Sequence, residues 1–255
     1  MTALNVLVGS MKAFILTDAS LYHPDGEIVM FGRKAAVARD ARIAVATRGD
    51  HRLPAAIAQA CDDLYEGIDE LIDEAGESIR SLYETTIAEI GAVEGGPGAA
   101  AEMFFVGWSA RESQPVAFWL AYDGETWGFE ELGDGFLAPM PNATEFSRLR
   151  LQMAEPASDY EVDDFDPVKH GIPLLEAQRR MPPAKVPGAP QSFVIGGEVL
   201  LTTIGQAGIE QSVIHSWPDE VGKPIRPEPF AVPLVEGMSR QQRRAAARQA
   251  GKAAA

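Results

Sequence analysis

The second residue of the 255-residue chain is a threonine, and loss of Met1 would leave it with a hydroxyl and a free amine together. A hydroxyl is a poor nucleophile until a base takes its proton, and an α-amine, with a reference pKa of about 7.7 to 8.0, is such a base. Asp18 follows Thr2 by 16 residues, Lys34 follows it by 32, and Gly49 lies 15 residues beyond Lys34. The remaining candidates read as structural. His23, His51, His170 and His215 are scattered, with no spacing that sets two ligands on one helix face, so each is expected at the surface or in packing and no metal site is expected. Asp159, Glu161, Asp163, Asp164 and Asp166 lack the glycine and closing glutamate of a calcium loop and read as a solvated loop. Cys61, the single cysteine, excludes a disulfide framework and falls within an apolar stripe, as a core residue does. Trp108, Trp119, Trp127 and Trp217 are expected to pack in sheets or at an interface, and no cofactor is indicated.

The elements that must position these groups follow from hydrophobic period. Leu4 to Val8 and Ala13 to Thr17 are apolar apart from Asn5 and flank a Gly9-Ser10 turn, as two buried strands of a hairpin do. Glu27 to Phe31, Lys34 to Arg39 and Ile43 to Thr47 read as three further strands. As a strand-edge lysine, Lys34 would contribute little to stability. Between residues 53 and 90 the period changes to three and four: Ile57, Cys61, Leu64, Tyr65, Ile68, Leu71 and Ile72 draw one helix that Gly76 breaks. Ile79, Leu82, Tyr83, Ile87 and Ile90 draw a second. Met103 to Trp108 and Val116 to Tyr122 form another hairpin, and residues 123 to 165 read poorly, with short strands around Trp127 to Phe129 and Phe136 to Leu137. Pro173 opens a helix to Met181, after which Phe193 to Ile195, Glu198 to Ile204 and Ile209 to Trp217 read as strands. Strands and helices segregated in this way predict an α+β protein rather than a parallel sheet.

This order of elements, with Thr2, Asp18 and Lys34 at these separations, resembles a proteasome β-subunit, a member of the N-terminal-nucleophile (Ntn) hydrolases. The resemblance covers residues 2 to about 122 and extends in outline over the rest. It implies a four-layer αββα sandwich; composition places the domain over residues 1–233 and a basic tail over 234–255. It implies that Thr2 attacks a carbonyl and that the charge of Lys34 favours the developing alkoxide. Asp18 would hold the lysine by a charge-assisted hydrogen bond, and the Gly49 N–H would stabilise the oxyanion. Leu21, Gly32 and Ala46 correspond to the specificity pocket, which the two small residues would leave roomy. A peptide or unfolded-protein substrate, a homo-oligomeric ring and an ATP-dependent unfoldase partner are implied in the same way.

The sequence departs from the family at Ala3, at Arg48 and at Ala19-Ser20. The family's Asp-x-x-Ser support after the helix ending at Met181 is missing, and residues 182–190 are proline-rich. A non-catalytic structural or interaction subunit is the alternative these departures favour. With 22 Lys plus Arg against 37 Asp plus Glu, the net charge of −15 disfavours nucleic acid and anionic lipid as partners of the main body. The tail from Met238 carries Arg240, Arg243, Arg244, Arg248 and Lys252 without an acid, so nucleic acid remains conceivable there alone. The terminal residues lack a signal peptide's basic and apolar segments, and no run reaches membrane-spanning length; a soluble cytoplasmic protein is expected.

Overall fold

Ile43, Val45, Met103 and Phe105 point one way from their strands and Ala44, Ala46, Phe104 and Val106 the other, and all eight are fully buried. A sheet apolar on both faces must be covered on both, and this decides the architecture. The computed structural model describes residues 3–23, 25–74, 77–89, 101–122, 127–141, 162–181 and 192–228. Thr2, the acids Asp159 and Glu161, and the tail from Met238 lie outside them. The chain divides into two units, Met1–Ile225 and Arg226–Ala255, and the first carries every described strand and helix.

The protein is a mixed α+β structure built on antiparallel sheets. One sheet has the order β10-β1-β2-β11-β12, from Gly135–Ala138, Leu4–Val8, Lys12–Asp18, Glu198–Gly205 and Gly208–Ser216. The other runs β5-β6-β7-β8-β9, from Ala35–Ala38, Ile43–Arg48, Ala101–Ser109, Gln114–Tyr122 and Trp127–Leu132. A separate hairpin pairs β3 (Ser20–Tyr22) with β4 (Ile28–Phe31). Leu4, Val6, Ala13 and Ile15 of the first sheet share an apolar cluster with Ala44, Ala46, Phe104, Val106 and Ala117 of the second. On the second sheet's other face, Ile43, Val45, Met103, Phe105 and Phe118 pack with helices α1 (Leu53–Leu64), α2 (Ile68–Asp73) and α3 (Glu77–Glu89). Phe14 and Leu16 instead meet Leu175 of α4 (Ile172–Arg179).

Asn5, the one polar residue of β1, explains how α4 is registered on this sheet. It is fully buried, and its amide exchanges two hydrogen bonds with Gln178, at 2.9 and 2.6 Å. A satisfied amide pair in an apolar surround favours the docking that forms both bonds.

Several boundaries differ from the sequence expectation for local reasons. The stripe from Ile57 to Ile72 is two helices: Tyr65 is extended (φ −127°, ψ 143°) and Gly67 fully so, and Glu70 turns back to accept the Glu66 N–H. Acids interspersed in this stripe serve the neighbouring turns. Asp62 accepts three consecutive N–H groups, from Arg39, Asp40 and Ala41, and Asp69 accepts those of Ala110 and Arg111. Asp163 binds Ser10, and Asp166 caps Val168 and Lys169 at the start of a helical turn, so part of the acidic cluster is structural. Phe193 to Ile195 is not a strand; Phe193 makes one isolated bridge to Ile225, and Val194 to Gly196 spend their polar groups elsewhere.

Candidate active site

Strand β2 ends at Asp18, and the β3–β4 hairpin that follows leaves the sheet and returns. The return is fixed by pairing of Ser20 with Phe31 and by the Gly32 N–H donating to Ala19 O at 2.9 Å. Two residues later the chain reaches Lys34, whose ammonium lies 2.7 Å from Asp18 Oδ1. The 16 residues separating Asp18 from Lys34 are therefore the length of one hairpin excursion. Lys34 immediately precedes β5, and its carbonyl accepts the Thr47 N–H at 3.2 Å, which brings the end of β6 alongside.

The Asp18 carboxylate is completely sealed from solvent and receives five hydrogen bonds. Oδ1 accepts from the Ala3 N–H at 3.0 Å and from Lys34. Oδ2 accepts from the Ser20 N–H, the Ser20 hydroxyl and the Gly196 N–H, at 3.2, 2.7 and 3.2 Å. The Ser20 hydroxyl also faces Val194 O at 2.8 Å, and with a single proton it donates to one acceptor at a time.

Lys34 is 3% exposed, so the expectation of a strand-edge charge is corrected: it is one half of a buried ion pair. Burial pulls its ammonium below the ordinary lysine pKa, and the neighbouring Asp18 charge and hydrogen bond oppose that fall without cancelling it. Among the described residues Asp18 is its one side-chain acceptor, leaving two ammonium protons uncommitted there. A buried ion pair adds little net stability compared with apolar packing.

The other expected site residues distribute as follows. Ala3, next in the chain after Thr2, is fully buried and bonded to Asp18. Gly49 directly follows β6 with φ 152°, a conformation that side-chain-bearing residues rarely adopt. Arg48 pairs with Glu102 across the β6–β7 ladder. Of the residues expected at a specificity pocket, Ala46 is buried in the cluster shared by the two sheets, and Leu21 Cδ1 lies 3.0 Å from where a Cβ on Gly32 would sit.

The residues the sequence did not single out are Ser20 and the segment Val194 to Gly196. The role of Gly196 against Asp18, 178 residues away, has no local signature in the sequence. Cys61 is buried in the core, where burial and the neighbouring Asp62 push its thiol up to about 12, so it is no nucleophile. Among the described residues there is no cluster of His, Cys, Asp or Glu able to hold a metal ion, and no helix long and apolar enough to cross a membrane.

Comparison with known proteins finds no protein-family model that matches this chain and no curated protein that matches it.

Proposed function

We propose that the chain is a threonine-type Ntn hydrolase with the four-layer αββα architecture of proteasome β-subunits, cleaving peptide bonds with Thr2. The observation that carries this reading is the convergence of the Ala3 N–H and the Lys34 ammonium on one oxygen of Asp18. That convergence ties the residue after Thr2 to the lysine needed beside a threonine nucleophile. The Thr2 amine takes the hydroxyl proton as Oγ attacks the substrate carbonyl, and the ammonium of Lys34 favours the alkoxide. The tetrahedral intermediate collapses to an acyl ester, the amine returns the proton to the leaving nitrogen, and water then releases the acyl group. Packing of two sheets against each other, with α1 to α3 on one side and α4 on the other, supports the layered architecture.

A second reading, a non-catalytic subunit of the same fold, is favoured by one feature. Among the described residues, the groups that the second half of the chain turns toward Asp18 are the Gly196 N–H and, through Ser20, the Val194 carbonyl, with no hydroxyl among them. The experiment that separates the readings is mass spectrometry of protein treated with a peptide epoxyketone. Catalysis requires the protein to lack Met1 and to gain one inhibitor mass at Thr2, with no gain in Thr2→Ala. A retained Met1 blocks the amine and leaves the non-catalytic reading. A homo-oligomeric ring, an unfoldase partner and a cytoplasmic location belong to this proposal as well.

A further inference from the structure

Arg179, the last residue of α4, has a side chain only 3% exposed and faces Asp219, 6% exposed. The guanidinium and carboxylate meet through two parallel contacts, Nη1 to Oδ2 at 2.6 Å and Nη2 to Oδ1 at 2.7 Å. The same Nη1 donates to Ile195 O at 2.8 Å, and the Trp217 ring lies 4.7 Å from the guanidinium carbon. Asp219 Oδ2 in turn accepts the Gly197 N–H at 2.8 Å. The ion pair therefore grips the main chain on both sides of Gly196, by the carbonyl before it and the N–H after it. Gly196 itself donates to Asp18 Oδ2, and its carbonyl accepts the N–H groups of Ala19 and Ser20, each at 3.1 Å.

We propose that the Arg179–Asp219 ion pair is a positioning clamp for the candidate active site, fixing Val194 to Gly197 and, through Gly196, the orientation of the Asp18 carboxylate that holds Lys34. A buried ion pair is a poor source of stability, since apolar side chains of similar volume fill the same space at little or no loss. Apolar side chains cannot hold Ile195 O and Gly197 N–H, and that is what this pair supplies. The bidentate guanidinium fixes direction as well as distance. Both residues act through the loop and neither touches substrate.

The catalytic consequence rests on the proposed hydrolase activity, whereas the geometric consequence does not. In the double variant Arg179→Met/Asp219→Asn no buried charge is left alone, so the protein is expected to stay folded. Its kcat on a fluorogenic peptide should fall at least tenfold with KM within twofold. Amide hydrogen exchange at Gly196 and Ser20 should quicken at least tenfold while β6 and β7 are unchanged. Unchanged exchange at Gly196 and Ser20 overturns the clamp whether or not kcat falls. Faster exchange with unaltered kcat in a hydrolysing protein overturns its role in the site. If the unmodified protein hydrolyses no peptide, the hydrolase reading has failed, and the exchange measurement alone then decides the clamp.

Discussion

Lys34 and Asp18 form a 2.7 Å ion pair in which neither side chain has appreciable contact with water. The lysine gives up hydration that one carboxylate restores only in part, as the lowering of its pKa reflects. The carboxylate is better served, with four other donors from Ala3, Ser20 and Gly196. The pair is asymmetric: Asp18 is anchored by the fold, and Lys34 is anchored by Asp18.

That asymmetry sets the expected outcome for Lys34→Ala. Turnover of a peptide substrate should drop by two orders of magnitude or more, since loss of a central electrostatic group typically costs about 3 kcal/mol in the transition state. Stability should fall too, toward the low end of the roughly 3–5 kcal/mol seen when one partner of a buried pair is removed, because Asp18 keeps its other donors. Urea unfolding and steady-state kinetics on one preparation check both. Wild-type turnover would show that the lysine is structural.

Gly196→Ala should disturb the same site from the other side. A Cβ at that position would meet Asp219 Oδ2 at 2.5 Å, Arg179 Nη1 at 2.6 Å and Ile225 Cδ1 at 3.0 Å. Overpacking of this kind costs about 1–3 kcal/mol, and here the displaced atoms are those gripping the loop. Both the urea midpoint and kcat are expected to fall. A variant as stable and as active as the wild type would mean that the loop relaxes without moving Asp18.

Most of the strands were legible because short continuous apolar runs bounded by turn residues mark strands buried on both faces, as in Ile43 to Ala46 and Met103 to Val106. The break at Tyr65 was not, because the apolar stripe continues in phase across it and the interruption lies in backbone angles. Strand β3 was hidden for another reason: three residues, Ser20 to Tyr22, are too few to show a period. Asp18 and Lys34 were singled out through the resemblance, whose separations from Thr2 they match, and the hairpin between them is what brings the two together. Ser20, Arg179 and Asp219 were not, since their roles depend on contacts with the 194–197 loop, which no local pattern announces.

Cys61 offers a check on the core that is independent of catalysis. Its thiol is fully buried and pushed up to about 12, so the thiolate is scarce at pH 8 and out of reach. A disulfide reagent such as Ellman's should react with native protein at least a hundredfold more slowly than with protein in concentrated urea. Rapid labelling of the native state would show that α1 separates readily from the second sheet.

The pH dependence of stability tests the environment of Lys34 directly. In the unfolded chain this lysine titrates near its ordinary value of about 10.4, and in the folded protein it titrates lower. Between the two values the unfolded state binds more protons than the folded state, so stability from this group rises with pH across that window. Below the folded value the contribution is flat and least favourable, because a charged lysine must be held out of water. Lys34→Met lacks the titration altogether. The unfolding free energy of the wild type minus that of Lys34→Met should therefore grow as pH is raised toward about 10.4, then level off. Urea titrations of both proteins at several pH values measure this difference. A difference that shrinks with rising pH would mean that Asp18 holds the proton on Lys34 more strongly than burial expels it, and that the lysine stays charged throughout.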